Sequence, residues 1–156
     1  LFGGHEGGSM YSLLELLRLI NKVKYELFIV LYYDFPIAKD YKNLGANVII
    51  RKQHLTKSTN LSLINKLFYR TRKICFDFQE FLWLLFFIKK NKISIFHGND
   101  RYTANWIGVG SAVLCKKKII VHQRQFETSL TKLQSLLISK GNTIADIDKM
   151  NIVQYN

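Results

Sequence analysis

At 156 residues the chain is long enough for one domain with a packed core and short for two, and 48% hydrophobic residues with a single proline exclude an intrinsically disordered segment. Lysine and arginine outnumber the acids 23 to 11, a formal charge of +12, so anionic partners are expected. The two cysteines, Cys75 and Cys115, form no CxxC pair, which excludes a disulfide framework and a zinc ribbon and fits a reducing, cytoplasmic setting.

The opening "LFGGHEGGSMYSLLELLRLI" starts at Leu1 rather than methionine and has none of the regions of a leader peptide. Two glycine pairs, Gly3-Gly4 and Gly7-Gly8, precede an amphipathic run in which Leu13, Leu14, Leu17 and Ile20 recur at helical spacing. The spacing predicts a helix over 10–22, capped by Ser9 or, one turn later, by the capping-box pattern beginning at Ser12. "YELFIVLYY" (25–33) reads as a strand covered on both faces, and "NVIIRK" (47–52) as a second strand. Residues 60–74 return to helical period, with Leu61, Ile64, Leu67 and Phe68 on one side and Lys66, Arg70 and Lys73 on the other.

A separate apolar helix is expected at about 77–91; its run "FLWLLFFI" falls short of the about 20 residues that a membrane span needs, so a buried helix is the reading. "ISIFHGN" (93–99) is a strand, "ANWIGVGSAVLC" (104–115) a helix of small residues, and "KKIIVHQRQFE" (117–127) a further strand. A helix at 129–139, a turn at Gly141-Asn142 and a last strand in "MNIVQYN" complete the chain. Strands alternating with helices predict an α/β fold with a mostly parallel sheet. The start at Leu1 and the lack of a strand before the glycines, where one belongs, lead to the expectation of a chain truncated at its N-terminus.

Ligands of an open parallel sheet bind beyond the carboxyl ends of the strands, which singles out the glycine loop from Gly3 to Ser9, Asp34, His97 to Arg101, and His122 to Glu127. A triphosphate loop is rejected, because Ser9 and Met10 stand where lysine and a magnesium-binding hydroxyl belong. A dinucleotide fingerprint fails as well, since Gly108-Val109-Gly110 has Val113 in the third glycine position. What is left for the opening glycines is either a turn or a backbone surface that holds one phosphate or diphosphate. His5, His54, His97 and His122 show neither HExxH nor a cysteine pairing, so no metal site is expected.

Between Tyr41 and Phe76 there is no carboxylate. Arg51, Lys52, Lys66, Arg70 and Lys73 in this stretch read as a solvated face or as a membrane-surface patch for anionic lipid. Nucleic acid is disfavoured, because no helix-turn-helix, RRM or KH signature accompanies the charge.

The succession "GGSMYSLLELL", "ELFIVLYY", "LGANVII", "NKISIFHGND", "WIGVGSAVLC" and "KKIIVHQR", over residues 3–127, resembles the N-terminal domain of GT-B glycosyltransferases, family 4 most closely. The resemblance implies a Rossmann-like three-layer domain over 1–156, one half of a GT-B fold, that binds the acceptor while a C-terminal domain, in cis or in trans, binds the nucleotide-sugar. It implies retaining transfer to a glycan or lipid-linked acceptor, with no cofactor and no obligatory metal; together with the carboxylate-free stretch between Tyr41 and Phe76 it leads to the expectation of work at the inner face of a membrane. By resemblance Gly7 and Gly8 face the donor diphosphate, His122 is catalytic beside the transferred sugar, and His97, Asn99 and Arg124 contact the acceptor. The family's donor domain with its E-x-x-x-x-E-type motif is not in these residues, so the fragment alone is expected to be inactive. Two alternatives stay open: a non-catalytic, membrane-recruiting subunit of a split transferase, and half of a GT-B sugar-nucleotide epimerase.

Overall fold

The computed structural model describes residues 7–51, 63–100, 102–123, 136, 143–146 and 151–153. They belong to two compact units, Leu1–His54 and Leu55–Asn156.

In the first unit, helix α1 (Gly8–Leu19) buries Met10, Leu13, Leu14 and Leu17, the side that the leucine spacing marks out. The helix starts earlier than predicted. Its N-cap is Gly7 in extended backbone, with φ −128° and ψ 167°, so neither expected serine cap is used; Ser12 Oγ instead donates back to the Gly8 carbonyl at 3.0 Å. Strand β1 (Phe28–Leu31) is the centre of the predicted 25–33 and pairs in parallel with β2 (Asn47–Ile50), from Phe28 beside Asn47 to Leu31 beside Ile50. Ile29 and Leu31 are buried while Phe28 and Val30 are half-buried, so β1 is not equally covered on both faces.

The short helix α2 (Ala38–Asn43) makes the crossover, and its Tyr41, fully buried, donates its hydroxyl to the Met10 carbonyl at 2.8 Å. A chain reversal then closes the helix: Gly45 (φ +82°) donates to the Lys42 carbonyl and Ala46 to that of Tyr41. Around these elements Phe35, Ile37, Ala38 and Ala46 complete a core with the buried face of α1.

In the second unit one helix replaces the two predicted at 60–74 and 77–91. Helix α3 runs unbroken through Leu63–Lys90, 28 residues and about 42 Å. The expected break at Ile74 to Asp77 holds no glycine or proline, and Lys73 and Asp77 pair across it one turn apart. The run "FLWLLFFI" is one-sided rather than buried all round: Leu84 and Ile88 are buried, Leu82 and Phe86 exposed.

Strand β3 (Ile95–Asp100) leads through the single position 101 into helix α4 (Tyr102–Leu114), and strand β4 (Lys118–Gln123) follows. α4 packs on β3 and β4 and also on α3, where the Ser111 hydroxyl donates to the carbonyl of Ile107 at 2.9 Å and lies 3.4 Å from that of Phe81. Val109, Ala112, Ile119, Val121 and Ile88 form the core there.

Strands β5 (Thr143–Asp146) and β6 (Asn151–Val153) extend the sheet in the order β3-β4-β5-β6; β3, β4 and β5 are parallel and β6 is antiparallel to β5. β5 was not expected, and β6 is the middle of the predicted last strand. Among the described residues the strands thus form two small sheets, and the chain is a mixed α/β protein with alternating helices and parallel strands. Of the predicted helix at 129–139 only Leu136, helical and exposed, is described; the rest of it and the turn at Gly141-Asn142 lie outside the described residues.

The reversal at Gly45 recurs after α3 and α4 with lysine in the left-handed position. Lys92 (φ 51°) donates to the Lys89 carbonyl and Ile93 to that of Ile88; Lys116 (φ 53°) donates to the Val113 carbonyl and Lys117 to that of Ala112. A Cβ makes this conformation costly. Lys92→Gly and Lys116→Gly should therefore each stabilise the protein by about 0.5–1 kcal/mol, the strain relieved less the added freedom of the unfolded chain. A higher urea midpoint at unchanged slope reads this out, and an unchanged midpoint refutes it.

Candidate functional site

The carboxyl ends of β3 and β4 bring together three of the predicted residues. The parallel register sets Asn99 beside His122 and His97 beside Ile120. Because side chains alternate along a strand, His97, Asn99 and His122 share one face of the sheet. The other face belongs to α4: Gly98 lies under Asn105, whose Cβ and Cγ stand 3.1 Å from where a Cβ on residue 98 would be, and Phe96 lies against Gly108.

On the shared face the His97 and His122 rings meet edge to face, centroids 4.5 Å apart at 82°. Both side chains are half-buried, with His97 Nε2 and His122 Nδ1 shielded from solvent, and Asn99 is only 6% exposed. His122 is the penultimate residue of its strand, where a ligand beyond the sheet edge would arrive. His97 lies three positions back from the end of β3, one more than the predicted strand end at Asn99 implies, and its ring supports that of His122.

A neutral imidazole has one donor and one acceptor nitrogen, so two rings in contact restrict each other's orientation and present a directional donor or acceptor. Position 105 escaped the sequence reading. The Asn105 amide donates to the Asn99 carbonyl at 3.2 Å, tying the start of α4 to the end of β3. Its only trace in the sequence is Gly98, the residue small enough to let that side chain approach.

Gly7 and Gly8 belong to the first unit and are described there by themselves. Both are exposed, and a Cβ at either would meet nothing within 4 Å. Neither has a positive φ, so the turn reading does not explain them. They leave the N-terminal backbone of α1, which has no acidic residue in its first turn, open to close approach.

Of the predicted basic patch, Arg51 is half-buried in the first unit, while Arg70 and Lys73 are exposed on α3, as is Arg72. Lys66 is on α3 with its side chain outside the description, and Lys52 and Arg124 lie outside the described residues. Among the described residues no three His, Cys, Asp or Glu side chains converge. Cys75 and Cys115 are both free thiols. Set against known proteins, the chain matches no family model, no curated protein and no solved structure.

Proposed function

We propose that the chain is the acceptor-binding half of a retaining glycosyltransferase, with the Rossmann-like architecture of one half of a GT-B enzyme, acting on a glycan or lipid-linked acceptor. The observation that carries this reading is the face shared by His97, Asn99 and His122 at the carboxyl edge of a parallel strand pair. A sugar hydroxyl needs a directional hydrogen-bond partner, and His122 supplies one at the sheet edge. His97 is a positioning residue that fixes the His122 ring, and Asn99 holds the strand end through Asn105.

In the first unit, the open backbone at Gly7 and Gly8 suits a diphosphate. Cleaving a glycosyl phosphate bond builds negative charge on that group, and fixed N–H dipoles stabilise it. The nucleotide-sugar is otherwise read by a C-terminal donor domain, in the same polypeptide or another.

The test is transfer activity of the complete enzyme, both halves present, with UDP- and GDP-sugars. His122→Ala should lower turnover about 100-fold at unchanged far-UV circular dichroism. His97→Phe, which keeps a ring against His122, should retain more activity than His97→Ala. Wild-type turnover in His122→Ala removes the histidine from the mechanism, and the absence of transfer from every donor overturns the transferase reading.

A further inference from the structure

Helix α3 carries an apolar stripe that its own unit leaves uncovered. Ile74 is 68% exposed, Phe78 59%, Leu82 49% and Phe86 64%. Their spacing of four puts them along one side of the helix over about 18 Å. Isolated exposed apolar residues are ordinary, but four in a row on one helix, three of them Phe or Leu at the water's edge, make a patch that calls for a partner.

The surrounding charge selects that partner. Arg70, Arg72 and Lys73 are exposed ahead of the stripe, and Lys89 and Lys90 are exposed at its end. The Lys90 ammonium lies 5.8 Å from the Phe86 ring centroid, so cation and apolar ring form one surface. Of the two carboxylates of α3, Asp77 pairs with Lys73 and offsets it and Glu80 is buried, so the outward surplus is carried by Arg70, Arg72, Lys89 and Lys90. A second copy laid on the stripe would bring these cations against one another. An anionic lipid surface would receive them, with the lysine stems lying along the acyl boundary and the ammonium groups at the phosphates. None of the described helices is long and apolar enough to cross a bilayer, so the contact is in-plane.

We infer that α3 is a membrane-surface helix, with Ile74, Phe78, Leu82 and Phe86 seated in the outer layer of an anionic bilayer and Lys89 and Lys90 on its headgroups. This rests on the stripe and its charges alone and is independent of the glycosyltransferase reading. It also extends the basic patch expected from the sequence to Lys89 and Lys90 at the end of α3, while Arg51 belongs to the first unit.

The experiment is co-sedimentation of the purified protein with vesicles of phosphatidylcholine alone or mixed with phosphatidylglycerol, accompanied by gel filtration without lipid. Binding should favour the anionic vesicles and weaken as salt rises. Phe78→Ser with Phe86→Ser should lower the partition coefficient about tenfold or more. Lys89→Gln and Lys90→Gln should each lower it about fivefold. All four positions are exposed, and circular dichroism checks that the helix content is kept. Equal binding to neutral and anionic vesicles, or wild-type binding by the phenylalanine double variant or by both lysine variants, overturns the inference. So does a dimer in gel filtration that the phenylalanine variant dissociates, which would assign the stripe to a second copy.

Discussion

Tyr41→Ala should destabilise the first unit by about 3–5 kcal/mol, the cost of emptying a large buried aromatic site. Tyr41 has no exposed surface, and it joins two elements that are distant in sequence: its ring sits in the core between α1 and α2, and its hydroxyl bonds the Met10 carbonyl. Tyr41→Phe separates the two contributions, because it keeps the ring and removes the hydrogen bond. The expected loss there is about 1 kcal/mol, since the Met10 carbonyl lies within a helix and keeps its place in the backbone ladder. Urea unfolding of the pair, followed by hydrogen exchange at the amides of residues 10–17, reads both effects. If Tyr41→Phe costs as much as Tyr41→Ala, the hydroxyl rather than the packing holds the helix, and the account of this core is wrong.

The second large effect is expected at Gly108. A Cβ built there would stand 2.4 Å from Cζ and 2.6 Å from Cε2 of Phe96, well inside contact distance. Phe96 cannot swing far, because it packs against the core of Val109, Ala112, Ile119 and Val121. Gly108→Ala gains about 1 kcal/mol of helix propensity and loses more to the collision. Gly108→Val adds branching at the same spot, and a net loss of about 3 kcal/mol is expected. Phe96→Leu, which shortens the opposing side chain, should recover about 1 kcal/mol in the double variant, a coupling that the two single variants cannot produce independently. Additive losses would place the strain elsewhere than between α4 and β3.

The order and type of most elements were legible from periodicity, and the reasons for the exceptions are specific. α1, β1, β2, β3, α4 and β4 each present one pattern over enough residues to be recognised. A single periodic stripe does not describe α3, because this helix exposes one apolar row and buries another: Leu84 and Ile88 follow one, and Phe78 and Leu82 the other. A serine cap was expected where Gly7 serves, since Ser9 and Ser12 match a capping pattern that the helix, already begun at Gly8, does not use. β5 is four residues long and contains an aspartate, too short and too polar for alternation to register.

The candidate site was legible in part. That His97 and His122 fall near adjacent strand ends followed from the strand pattern, but their ring contact depends on the register between β3 and β4, which pairs His122 with Asn99 and leaves His97 one pleat behind. No local pattern encodes that offset. The exposed stripe had a visible trace, the four-residue spacing from Ile74 to Phe86, yet whether such a row faces the core or the solvent is decided by what packs on the opposite side.

The passage from β3 to α4 occupies the single position 101, and only residues 115–117 separate α4 from β4. Such a unit has almost no slack. An inserted or deleted residue would turn the helix against the sheet, and Gly108 could no longer meet Phe96 or Gly98 meet Asn105. Changes of length during divergence are therefore barred from this part of the chain. A lineage that altered its ligand would be expected to do so by substitution at constant length, leaving the two histidines and the strand pair beneath them in fixed register.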